Sequence, residues 1–202
     1  PANAPGLPAA PDLHWLSGAA TLGEIADLYD AVALRQLSDR RYRAELYSWM
    51  RFSERHMGWA RDGLNADALA LSKVEAAGAS VLLADGPLFG FLRRLGLSRT
   101  ILSESKKIKS SYAVAVVVRP PGETDVASGR AFYRAWLAMT AAGLAACPMS
   151  ALVDDPAARA RVATLADIGR DLRIINVLRV GHPAVDATSP ARARISASEV
   201  IV

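Results

Sequence analysis

Over 202 residues, 51% of them hydrophobic and 22% charged, the chain has enough apolar side chain for one domain with a sizeable core, which excludes a largely disordered polypeptide. Its 24 basic and 20 acidic residues leave a formal charge of +4, too small an excess to require a polyanion, so no nucleic-acid partner is expected. The longest strongly apolar run, residues 112–118, is far below the ~20 residues of a membrane-spanning helix, and the single Cys147 leaves no intramolecular disulfide or cysteine metal cluster. No membrane partner is expected, and a cytoplasmic location is the default.

Residues 1–20 open with a Pro/Ala/Gly-rich stretch, which reads as a linker or cut terminus. The domain is expected over 21–202, lacking an N-terminal portion. From Thr21, a candidate N-cap with Glu24 three residues on, Leu22, Ile25, Leu28, Tyr29 and Val32 recur with helical spacing. A second helix is expected over 38–52, a loop over 53–65 where glycine, aspartate and asparagine concentrate, and short helices over 72–83 and 87–95. The β-branched run at 111–119 predicts a central strand with both faces covered. A long apolar helix follows over 128–146, broken near Gly143 and stopped by Pro148, then a helix over 155–166 with Asp155 as cap and Pro156 at its first position. A buried strand is expected over 172–180, and an edge strand or arm over 195–202. This order argues an α+β domain: a mixed sheet core flanked by helices.

Several signatures are set aside by the chemistry they would need. Ser103 to Lys106 matches Ser-x-x-Lys without its companion elements, and Gly86, Gly90 and Gly96 lack phosphate-loop spacing. His14, His56 and His182 are scattered without ligand spacing, so no metal is expected. The basic run at 93–109 has no interleaved aromatic side chains, which favours a solvated face. The helix over 128–146 carries more apolar residues than one buried stripe uses, which predicts a second covered face, against another subunit. Two stretches say more. The segment from Arg35 to Tyr42 joins two expected helices and gathers Ser38 with several arginines at a helix N-terminus, where a phosphate would be favoured; a capping serine among solvated arginines explains it equally well. The run Gly143 to Ser150 ends an apolar helix in small residues and Pro148, which would let a flat ring approach the backbone.

The order of Gly129-Arg130-Ala131, Trp136 to Leu144, Cys147-Pro148-Met149-Ser150, Leu178 to Pro183, and Arg194 with Glu199-Val200-Ile201 resembles the second half of the nitroreductase-like FMN flavoproteins. The 35–42 segment is similar to that family's Arg/Ser/Arg phosphate motif. The resemblance implies an α+β fold, a homodimer or a pseudo-dimer with a missing N-terminal half, and FMN at the interface. Arg35, Ser38 and Arg40, with Arg192 or Arg194, would hold the phosphate, and Pro148, Met149 and Ser150 would lie beside the isoalloxazine. No catalytic side chain is implied, since the flavin carries the hydride chemistry between NAD(P)H and an organic acceptor such as a nitroaromatic or quinone. Nothing between Tyr42 and Ser111 matches the family's Asn/Gln-Pro-Trp loop against the flavin. A non-catalytic flavin-sequestering protein and a flavin-free interaction module are therefore the alternative readings.

Overall fold

Residues 113–118 are all buried, and they build the strand around which the chain is organised. The computed structural model describes residues 6–69, 71–84, 86–94, 103–183 and 195–200. Strands β1 (Leu13–Leu16), β4 (Ala113–Arg119), β6 (Arg173–Gly181) and β5 (Ala145–Pro148) form one sheet in the order β1-β4-β6-β5, each pairing antiparallel. The two remaining strands, β2 (Met50–Arg51) and β3 (Leu64–Asn65), make a two-residue parallel pair. The α+β class with helices flanking a sheet is as expected, and the four-stranded sheet itself is antiparallel rather than mixed. The chain divides into two compact units, residues 1–33 with 102–185, and residues 34–101 with 186–202.

In the first unit the alternation along β4 sorts its side chains between two cores. Val114, Val116 and Val118 pack with Leu22, Ile25, Ala26 and Val32 of helix α1 (Ala19–Ser38), and with Leu152, Ala158 and Val162. Ala113, Ala115 and Val117 pack on the other face with Ala135 and Met139 of helix Asp125–Ala141, together with Leu144, Leu178 and Val180. Cover on both faces is what a continuous β-branched run requires.

Three sequence expectations are corrected here. Residues 13–16 belong to the sheet and not to a linker: Leu13 and Trp15 enter one core, Leu16 the other, and the Trp15 indole donates to the Pro8 carbonyl at 3.1 Å. The helix expected to reach residue 146 stops at Ala141. Gly143, at φ +72°, is the left-handed residue of a Schellman turn in which Leu144 N–H donates to Met139 O and Gly143 N–H to Thr140 O. The chain is thus freed to form β5, and Pro148 ends a strand instead of a helix. At the far end, residues 197–200 form a helical turn, Ala197–Val200, where a strand or arm was expected.

At one end of the sheet a charged network ties β4, β6 and the start of helix Asp125–Ala141 together. Arg119 Nε donates to Glu123 Oε2 at 2.8 Å and its Nη1 to Asp12; Ser128 Oγ donates to Glu123 Oε2 at 2.7 Å; Arg173 Nη2 donates to Ser128 Oγ at 2.8 Å and to the Glu123 carbonyl. The hydrogen bond from Arg119, then that from Ser128, hold the Glu123 carboxyl down at about 2, against an ordinary 4.5. A carboxyl depressed in the folded state stabilises it fully above the unfolded pKa, and that contribution disappears as pH falls through the folded value. The stability advantage of the wild type over Glu123→Gln, read from urea midpoints, is therefore expected to be constant above pH 5 or so and to shrink between about 4.5 and about 2. A gap independent of pH would remove Glu123 from this role.

In the second unit Asp39 separates α1 from α2 (Arg40–Trp49) and caps α2, its Oδ1 accepting from Arg41 N at 2.7 Å and Tyr42 N at 3.4 Å. Helix α3 (Lys73–Leu83) carries the Ser72/Glu75 capping box and precedes α4 (Pro87–Arg94). Buried Arg43 lies 4.4 Å over the Phe89 ring and donates to the Leu37 carbonyl at 2.6 Å. Its charge is thus held at the carbonyl end of α1, where a helix dipole favours a cation.

Candidate functional site

Among the described residues strand β5 is an edge, paired only with β6, and it places two of the expected ring-contacting residues at its C-terminal end. Pro148 and Ser150 are exposed there. Met149 is not: it is 2% exposed and packs into the core with Leu152 and Val177, while its N–H donates to the Val177 carbonyl at 2.7 Å. The Met149 side chain is therefore a core side chain, because the turn out of the edge strand rotates it under the sheet. Asn176 Nδ2 donates to Ser150 Oγ at 3.3 Å, which fixes the orientation of that hydroxyl. Ala145, Cys147 and Pro148 are exposed along the strand and Ala146 is half-buried, so the surface beside Pro148 is built of small side chains over accessible backbone.

Arg35, Ser38 and Arg40 lie in the second unit, at the α1–α2 corner. Arg35 and Arg40 are exposed. Ser38 closes α1 and its hydroxyl donates back to the Leu34 carbonyl at 2.7 Å, so it stands at a helix C-terminus and not at the N-terminus expected for it. The N-terminal amides of α2 that would face a phosphate already serve Asp39. A phosphate here would meet two guanidinium groups and one carboxylate, which is a poorer fit than a free helix N-terminus. Arg192 and Arg194 lie outside the described residues. The Pro148/Ser150 end of β5 is thus an exposed, small-residue surface, whereas the α1–α2 corner offers no free helix N-terminus.

The remaining motifs resolve into structure. Ser103 and Ser105 hydroxyls donate to the buried Asp30 carboxylate, which ties the 103–105 turn to α1. His14 Nδ1 sits 3.2 Å from the Ala166 carbonyl, His56 Nδ1 accepts from Gly58 N at 2.9 Å, and His182 packs on Tyr112 with ring centroids 5.3 Å apart. The 53–65 loop is wound around Arg51, which sequence reading passes over. Its buried guanidinium donates to Asp62 Oδ1 through Nε at 3.0 Å and Nη2 at 2.8 Å, and to the Ser48 and Met50 carbonyls through Nη1. Arg61 extends the loop's contacts to Glu199, whose carboxyl lies below its ordinary value because Ser196, and then Arg61, donate to it.

Among solved structures the chain is similar to the FMN and NADPH-dependent nitroreductase NfnB from Sphigopyxis sp. strain HMH, at 18% identity over 97% of this chain and 82% of that one, with a TM-score of 0.45. The fold is similar to that of FMN-dependent nitroreductases. A nitroreductase with bound FMN from Bacteroides fragilis matches at 15% identity over 98% and 81% of the two chains, TM-score 0.45. Iodotyrosine deiodinase bound to FMN and 3-iodo-L-tyrosine matches at 18% identity and TM-score 0.37 over 56% of this chain, which spans only 58% of that protein. No protein-family model and no curated protein matches the chain. At these identities and TM-scores the solved neighbours assign no residue. Among the described residues no helix is long and apolar enough to cross a membrane.

Proposed function

We propose that the chain is a flavin-binding oxidoreductase subunit of the nitroreductase-like type, taking a hydride from NAD(P)H and delivering electrons to an organic acceptor of the nitroaromatic or quinone class. The observation that carries this reading is the exposed Pro148/Ser150 end of edge strand β5, in a segment whose motifs resemble the family's ring-contacting run. When bound, FMN supplies the hydride chemistry. The chain's own task is to present a flat, small-residue surface to the ring, with the Ser150 hydroxyl oriented by Asn176.

The absence of the Asn/Gln-Trp loop motif between Tyr42 and Ser111 favours the second reading, a protein that holds flavin without turning it over. Rapid mixing of flavin-loaded protein with NADPH and with NADH separates the two. Fast loss of the visible flavin band with either donor supports the oxidoreductase; no loss with both donors supports sequestration; a protein that retains no flavin overturns both.

We also propose that a second copy covers the outer face of helix Asp125–Ala141. Ala131, Ala135 and Met139 turn inward, while Val126, Tyr133 and Leu137 remain 75%, 62% and 49% exposed. Light scattering is expected to give twice the chain mass of 21.5 kDa, and Leu137→Glu with Tyr133→Lys to halve it. A wild-type monomer at micromolar concentration would count against the dimer and leave docking to a separate N-terminal half as the surviving use of that face.

A further inference from the structure

The first unit holds a second concave surface, of about 310 Å³, walled by Lys107, Cys147, Arg179 and His182, with Ala145 and Gly181 at its mouth. Its geometry follows from the β5–β6 register. Cys147 lies directly opposite Arg179, so the two side chains share a face. Leu178 and Val180, on either side of Arg179 along β6, enter the core beneath helix Asp125–Ala141, so Arg179 points away from that core. Ala145 pairs with Gly181, and two residues this small leave the entrance open. Lys107 is brought in by the short helix Ser105–Lys109, whose end is fixed where the Ser110 and Ser111 hydroxyls donate to the Lys107 carbonyl at 3.1 and 3.0 Å. The His182 ring is held in place by its contact with Tyr112.

Among the described residues no acidic side chain lines this pocket. Lys107 is shared with Glu104 at 2.9 Å, and Arg179 makes no ion pair among the described residues. The recess is lined by a guanidinium without an ion-pair partner among the described residues, an ammonium shared with Glu104, and an imidazole, so the Arg179 charge is the one open to an outside anion. The guanidinium fork matches a tetrahedral oxyanion bidentately, and a volume near the lower end of ligand pockets suits a phosphate with a sugar-sized group attached, not a whole dinucleotide.

We propose that this pocket binds the phosphate of a small phosphate monoester, with Arg179 as the principal donor and Lys107 and His182 as flanking donors. The phosphate is either that of the flavin nucleotide or that of a separate phosphorylated small molecule. The inference does not depend on the redox reading, and inorganic phosphate is the first probe. Titrated by calorimetry at ionic strength held constant with chloride, phosphate is expected to bind saturably to the wild type and at least tenfold more weakly to Arg179→Gln, with a smaller loss for Lys107→Gln. Equal melting temperatures without phosphate establish that the variants fold; if Arg179→Gln does not fold, the surface variant Lys107→Gln decides. FMN and riboflavin then distinguish the sources. Competition between phosphate and FMN, with Arg179→Gln weakening FMN but not riboflavin, assigns the pocket to the flavin's phosphate; simultaneous binding assigns it to a separate phosphorylated ligand. Non-saturable phosphate binding by the wild type, or undiminished binding in the folded variants, overturns the proposal.

Discussion

Replacing Asp30 by alanine is expected to cost about 3 kcal/mol of stability, among the largest effects of any single polar substitution in the first unit. Asp30 is 7% exposed on α1 and accepts three hydrogen bonds from one short segment: Ser103 Oγ at 2.5 Å, Glu104 N at 2.9 Å and Ser105 Oγ at 2.7 Å. Truncation strands two hydroxyls and an amide in a partly buried place, and donors without an acceptor cost more there than the net worth of the bonds they lose. Asp30→Asn keeps the shape and one acceptor oxygen, so roughly half of that loss is expected. Urea midpoints of the two variants against the wild type provide the measurement. If Asp30→Ala were as stable as Asp30→Asn, the carboxylate would merely be accommodated at the 103–105 turn and would not hold that turn to α1.

This anchor also marks where sequence reading stops. Ser103 to Lys106 presents a spacing that suggests nucleophilic chemistry, yet the hydroxyl is directed at a carboxylate 73 residues away, and no local pattern encodes such a partner. Elements whose cause is local were legible: β-branched density marked the central strand, Ser72 and Asp155 marked helix starts, and Pro156 fell at the first turn of its helix. What failed depends on competition between local choices and distant partners. Residues 13–16 follow a Pro/Ala-rich opening and become a strand because β4 offers Val114 to Val117 as pairing partners. Residues 145–148 continue an apolar helical pattern, but Gly143 closes the helix and β6 recruits them. In the candidate site, the small-residue run ending at Pro148 was visible by composition. The inward turn of Met149, and the choice of Asp39 over Ser38 as the cap of α2, depend on backbone direction, which residue types alone do not carry.

Gly63 and Gly143 both adopt left-handed backbone, at φ +70° and +72°, and the same substitution at the two positions is expected to have very different consequences. At Gly143 an added Cβ meets nothing within 4 Å, so Gly143→Ala carries only the conformational penalty, about 1 kcal/mol. At Gly63 the added Cβ would lie 2.4 Å from the Trp49 carbonyl oxygen and 2.9 Å from the Arg51 guanidinium carbon. The carbonyl is backbone at the entrance to β2, and the guanidinium is pinned by Asp62 and two carbonyls, so neither neighbour has an inexpensive way to move. Gly63→Ala is therefore expected to cost about 3 kcal/mol or more, the excess over Gly143→Ala being the steric cost of spreading the 53–65 loop away from Arg51. Because this loop belongs to the second unit, amide exchange should accelerate across residues 50–66 with little change in β4 and β6. Similar losses for the two variants would mean that the loop yields freely around Arg51, and the close approach at Gly63 would then have no part in holding it.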